Sequence, residues 1–248
     1  MSVQPLISVI TVTYNAADVI ERTLDSLRTQ SFQEFEHLVI DGASADNTLD
    51  LVRTYGKPHT VIVSEKDNGL YDAMNKGLEL AKGRYVLFLN AGDRFHDSGT
   101  LQKYASQAAK DADIIYGDTD IVDSKGIFIS KRHLSAPSRL TKKSFSNGML
   151  ICHQAFMVRK YLTSPFDLKY RFSADYDWCI KAIENSDPLK CSNLNQVTID
   201  YLKDGLTDKN KLKSLKERFV IMAKHYGLTT TLMNHLGFVV RALRRGNL

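Results

Sequence analysis

The run LISVITVT at 6–13 is β-branched and almost wholly apolar, the composition of a strand buried on both faces. Behind it, Asn15 is placed to cap a helix, and Ala16, Ile20, Leu24 and Leu27 recur at helical spacing. The alternation then repeats. HLVI at 37–40 predicts a second strand ending in Asp41-Gly42, and 46–55 a helix. A third strand is predicted over 60–63 and a helix over 68–82, stopped by Gly83 in a left-handed position. RYVLFL at 84–89 predicts the fourth strand. This βαβαβαβ rhythm argues for a parallel, doubly wound sheet with helices on both faces.

After Asp93 the rhythm changes. A helix is predicted over 100–110, a strand over 113–116 and a hairpin over 120–131, turning at Ser124-Lys125-Gly126. Residues 133–150 read as irregular. A strand over 155–158, a helix over 173–184 and a strand over 197–201 follow. Two helices, 209–226 and 231–245, broken near Gly227, end the chain.

The chain has 248 residues, of which 43% are hydrophobic and 25% charged, with 14 Gly and 5 Pro. That length buries a sizeable core without disulfides, and the composition excludes collagen-like, low-complexity and largely disordered classes. No stretch approaches the roughly 20 apolar residues of a membrane-spanning helix. The N-terminal 15 residues lack the basic and apolar regions of a secretory signal, so a cytoplasmic address is expected. Cys152, Cys179 and Cys191 are odd in number and widely spaced, which argues against a disulfide framework or a zinc ribbon. Net charge is +5, unevenly spread: residues 203–248 hold 10 basic and 3 acidic residues, and the remainder is near neutral. The basic tail suits an anionic partner, such as membrane headgroups, nucleic acid or another acidic surface. Within it, Leu236, Val239, Val240 and Leu243 fall near one helical face beside Arg241, Arg244 and Arg245, a pattern of either a helix lying in a membrane interface or one packed on the body.

In an open parallel sheet, ligands bind beyond the carboxyl ends of the strands. The residues just past the predicted strands are Thr13-Tyr14-Asn15, Asp41 to Ser44, Glu65-Lys66-Asp67 and Asn90-Ala91-Gly92-Asp93. One edge thus gathers Asp41, Asp67 and Asp93. GxGxxG and GxxxxGK[ST] are absent, which disfavours a dehydrogenase or a P-loop NTPase. An acidic edge takes a diphosphate only through a bridging divalent cation.

Five segments carry a family resemblance: SVITVTYN at 8–15, DGASAD at 41–46, SEKDNGLYDAMNKG at 64–77, YVLFLNAGD at 85–93 and FSADYDW at 172–178. In this order and spacing the chain resembles inverting family 2 glycosyltransferases, and looks most like bacterial members that build cell-surface polysaccharide or lipopolysaccharide. The resemblance covers about 5–185. It implies an α/β GT-A fold, a Rossmann-like nucleotide-diphospho-sugar transferase fold with a mixed central sheet and C-terminal helices. Residues 1–205 would be the catalytic domain, with 1–95 the nucleotide-binding half and 96–205 the acceptor half, and 206–248 a basic helical appendage.

The resemblance further implies a sugar moved from a UDP-sugar donor to a hydroxyl of a saccharide or lipid-linked saccharide acceptor. Mn²⁺ or Mg²⁺ would serve as cofactor, nucleic acid has no role, and peripheral contact with the inner face of the membrane through 206–248 fits a lipid-linked acceptor. Thr11, Thr13, Tyr14 and Asn15 would line the base and ribose pocket. Asp41, which alone reads as part of a turn, would accept from the base. Asp67 and Lys76 would flank the nucleotide, although an N-cap and an exposed helix lysine are their plain readings. Asp93 would hold the metal. Asn90, standing where the common motif has a carboxylate, would contact the donor sugar. His153, Gln154 and Trp178 are implied contacts of donor sugar or acceptor, although Trp178 reads more often as core. Arg132 and His133 would neighbour the diphosphate, at places the sequence does not fix. Asp175 is the implied general base, with Asp177 its rival, and Ser173 with these acids also reads as a helix cap.

Ala174 departs from the family pattern, where glutamate is common. Together with Asn90 it leaves open a catalytically impaired, nucleotide-sugar-binding relative. A sugar nucleotidyltransferase is disfavoured because TYNAADVIERT at 13–23 has no glycine before the helix.

Overall fold

The structure is a computed structural model and describes residues 4–203 and 210–244. The N-terminal β-branched run forms β1 (Ile7–Thr13), with all seven residues buried. It pairs in parallel with β2 (Phe35–Asp41) on one side and β4 (Tyr85–Phe88) on the other, and β2 pairs in parallel with β3 (Val61–Ser64). The crossovers are α1 (Ile20–Arg28), α2 (Thr48–Tyr55) and α3 (Leu70–Leu80). The chain leaves β1 for β2 and β3 on one side and returns to β4 on the other, so a crevice opens beyond the ends of β1 and β4.

The sheet then becomes mixed. After β5 (Arg94–Phe95) and α4 (Thr100–Ala108) come β6 (Ile114–Val122), β7 (Phe128–Lys131), β8 (Phe156–Arg159), α5 (Ala174–Asn185) and β9 (Cys191–Leu202). Strand order is β3-β2-β1-β4-β8-β6-β9-β5, with β7 paired to β6. β8 runs antiparallel to β4 and β6, whereas β6 and β9 are parallel. The chain ends in α6 (Lys211–Tyr226) and α7 (Leu228–Arg244), separated by Gly227 at φ 83°. The expected start of the first of these at Lys209, and Arg245 at the end of the second, lie outside the described residues, as do the side chains of 211 and 237–244.

Two local expectations change. Gly83 does not adopt a left-handed backbone; α3 stops three residues earlier at Leu80, with Ala81 extended at φ −58° and ψ 130°. Gly83 is required by contact: a Cβ there would lie 2.4 Å from Ser8 N, whose own side-chain hydroxyl accepts from Gly83 N. Asn15 does not cap α1, whose N-cap is Val19. Asn15 sits at φ 46° and its Oδ1 accepts from Ala45 N, tying the loop after β1 to the loop after β2.

Candidate active site

A cavity of about 1080 Å³ opens at the crevice. Its strand-end wall carries Thr13 and Tyr14 after β1, Gly42 after β2, and Lys66 to Leu70 after β3. Tyr14 is 66% exposed and offers a ring face. Gly42 lies against Asp67: a Cβ there would fall 2.5 Å from Asp67 Oδ2. Asp67 Oδ1 accepts from Gly69 N, which sets the turn into α3.

The opposite wall is built on the first turn of α5. Asp175 Oδ1 accepts from the Tyr71 hydroxyl at 2.9 Å, and Oδ2 lies 3.1 Å from His153 Nδ1. His153 Nε2 lies 3.3 Å from Asn90 Nδ2. Burial opposes the charge on Asp175. The hydrogen bond and charge of His153, the charge of Arg218 and the Tyr71 hydroxyl outweigh it and hold the carboxyl below its usual range. Asn90 Oδ1 is buried and has no hydrogen-bond partner.

Asp93 is 4% exposed, and burial pushes its carboxyl up to about 6. Oδ1 accepts from Leu202 N at 2.9 Å and Oδ2 from Gln154 Nε2 at 2.7 Å. Gln154 Oε1 in turn accepts from the Cys152 thiol, which fixes the amide.

Thr13, Tyr14, Asp67, Asn90, Asp93, His153, Gln154 and Asp175 therefore meet at one cavity. Arg132 and His133, expected near the diphosphate, also line it, and the remaining expected contacts lie elsewhere. Thr11 is buried against His37 Nε2 at 3.0 Å. Asp41 is fully buried and accepts from Ser44 N, Ser44 Oγ and Ser64 Oγ, so it organises the turn behind the wall. Asn15 supports the same turn. Lys76 Nζ is 2.8 Å from Glu65 Oε1 and donates to Lys66 O. Trp178 is 1% exposed, stacked on Phe166 at 5.1 Å and edge-on to Phe88 at 5.7 Å, so it packs in the core and not at the rim. Asp177, the rival base, turns to α6 and is held by Lys181 at 2.6 Å, His225 at 2.8 Å and Lys224 at 3.2 Å. Arg132 lines the cavity, but its guanidinium donates to the carbonyls of Leu134, Met149 and Leu150.

Tyr71, Arg171 and Arg218 belong to the cavity and were not read as site residues. Tyr71 stands inside the quoted 64–77 motif, so its hydroxyl was a legible signal. Nothing in the sequence brings Arg218 of α6 to α5.

Residues 8–164 match the family model of Glycosyl transferase family 2. The chain belongs to this family. As a family 2 glycosyltransferase it is 42% identical over 223 residues to Bacillus subtilis TuaG, a glycosyltransferase named for teichuronic acid biosynthesis, covering 88% of this chain and 87% of that one. Among solved structures it resembles S. aureus TarS in complex with UDP-GlcNAc, at a TM-score of 0.71 and 21% identity, over 94% of this chain and 73% of that one. It also resembles the mannosyltransferase PcManGT of Pyrobaculum calidifontis in complex with GDP-Man and Mn²⁺, at a TM-score of 0.65 and 18% identity, over 100% and 77% of the two chains. The glycosyltransferase has the GT-A fold expected of its family, with a curled mixed sheet and C-terminal helices. Among the described residues no helix is long and apolar enough to cross a membrane.

Proposed function

We propose that the chain transfers a sugar from a UDP-sugar to an acceptor hydroxyl, with inversion, in assembly of a cell-surface glycan. The observation that carries this reading is Asp175: a carboxylate at the cavity wall, kept ionised and aimed by Tyr71 and His153. In the step, the acceptor oxygen attacks the anomeric carbon and its proton passes to Asp175. The bond from that carbon to the diphosphate oxygen breaks, and the electron pair leaves with the diphosphate. His153, oriented by Asn90, holds Asp175 in place. Tyr14 and Asp67 suit the base and ribose, as an aromatic face and a hydrogen-bond acceptor on the strand-end wall. TuaG and the UDP-GlcNAc complex of TarS support the glycan and donor class.

The donor set at 90–93 fits a divalent cation. Asp93 is a desolvated carboxylate, and Asn90 Oδ1 is a buried oxygen lacking a partner. No group of three or more His, Cys, Asp or Glu gathers among the described residues, so Asp93 and Asn90 are the residues that would hold the cation. Mn²⁺ or Mg²⁺ supplies positive charge beside the leaving diphosphate when bound. Peripheral attachment at the cytoplasmic face of a membrane belongs to the same reading, supported by exposed Leu212, Leu215, Leu232, Met233 and Leu236 beside exposed Lys213 and Lys216.

Thermal unfolding with UDP, GDP, CDP and dTDP, each with and without Mn²⁺, tests the reading. UDP with Mn²⁺ at about 100 times its dissociation constant is expected to add roughly 2.7 kcal/mol, a shift of a few degrees. Asp175→Asn is expected to keep that shift within a few-fold in affinity and to lose turnover of UDP-sugars by about 10²–10⁴. Absence of any nucleotide response, or loss of UDP binding in Asp175→Asn, rejects the assignment.

A further inference from the structure

The wall around Asp175 carries a positive group that donor chemistry does not require. Glu217 of α6 accepts from Arg171 N and Phe172 N, each at 2.9 Å, and so locks α6 to the segment entering α5. The next residue, Arg218, lines the cavity with Arg171 and Phe172. Asp175 and Tyr71 line the same cavity, and the charge of Arg218 acts on both. Arg218 Nε is buried without a hydrogen-bond partner, and among the described residues Arg218 and Arg171 form no ion pair. Arg132 is different, being consumed by three backbone carbonyls.

An inverting displacement puts the base and the leaving diphosphate on opposite faces of the anomeric carbon. A cation beside the base therefore stands on the face the acceptor enters. We propose that Arg218, with Arg171, binds an oxyanion carried by the acceptor close to the hydroxyl that receives the sugar, a phosphate or a carboxylate. A guanidinium suits this because its planar fork matches two oxygens of either group. The proposal rests on the transferase reading above and adds the acceptor's charge class to it.

The test uses the full chain, with and without saturating UDP and Mn²⁺, titrated by calorimetry with glycerol 3-phosphate, glucuronate, glycerol and glucose. Saturable binding of a charged probe and none of its neutral counterpart is expected, and the preferred probe tells phosphate from carboxylate. Arg218→Gln should weaken that binding about 10–100-fold, the loss of a charge-assisted hydrogen bond, with UDP affinity unchanged and partial recovery in Arg218→Lys. Arg171→Gln, at an exposed position where folding is not at risk, should weaken it as well. Equal binding of neutral probes, no binding of either charged probe, or a matching loss of UDP affinity in Arg218→Gln overturns the proposal; the last assigns Arg218 to the diphosphate. Failure of the donor reading shows separately, as absence of UDP binding in the unaltered chain, and the probe titrations without UDP still decide on the oxyanion.

Discussion

Asp175, Asp177 and Trp178 lie within four consecutive positions of one helix and meet three different environments. Successive residues on a helix point about 100° apart. Asp175 thus faces the cavity, Asp177 faces α6, and Trp178 enters the aromatic cluster of Phe88, Phe156 and Phe166. The resemblance carried by FSADYDW named Asp175 with Asp177 as its rival, but one dimension does not say which of the two faces the cavity. Trp178→Ala is expected to cost about 3–5 kcal/mol, because a fully buried ring leaves a cavity its neighbours only partly fill. Urea denaturation measures it. A loss below about 1 kcal/mol, with nucleotide binding impaired, would place the ring at the ligand instead.

At the scale of elements, the strands were legible because burial on both faces demands apolar runs, which ISVITVT of β1, LVI within β2 and YVLF of β4 supply. Ends were less legible. The need for Gly83 comes from Ser8, 75 positions away. Gly77 makes the same point inside α3. Helix propensity alone favours alanine there by up to about 1 kcal/mol. Yet a Cβ would lie 2.5 Å from Ile10 Cγ2 and 3.2 Å from Ile40 Cγ1, where the helix packs on β1 and β2. Gly77→Ala is therefore expected to destabilise by about 1–3 kcal/mol through overpacking, read as a lower urea midpoint with an unchanged slope. A gain in stability would show that the sheet yields to the extra methyl group.

In the whole molecule, α6 is joined to α5 through ionisable groups. His225 of α6 offers Nε2 to Asp177 at 2.8 Å and Nδ1 to Glu184 at 3.0 Å, with Lys181 and Lys224 alongside. Burial lowers the affinity of His225 for its proton, but the two carboxylates overcome that and raise it above the usual value. Burial likewise opposes the charge of Asp177, which His225 and Lys181 more than offset, so that carboxyl sits well below its usual range. The His225 contribution is complete below about pH 6.5 and lost as pH rises through the folded value above it. The Asp177 contribution is complete above about pH 3.9 and lost as pH falls through its depressed folded value. Thermal stability is expected to decline from about pH 6.5 upward in this protein, and the decline should flatten in His225→Gln. An equal decline in both would assign it to other groups.

The sequence by itself determined the alternation of elements, the parallel half of the sheet, the crevice beyond its strand ends, and the family. These depend on periodicity, turn chemistry and motif order, all of which are local. Through the family resemblance it also named Asp93, Asp175 and His153, which line one cavity. Only the tertiary structure decided that Asp41 and Thr11 lie behind that edge, that Trp178 is core, and that α6 brings Arg218 to the cavity that Asp175 lines. Those outcomes depend on packing directions and on contacts between separate elements, such as Trp178 with Phe88, where no local pattern records which face of an element meets which partner.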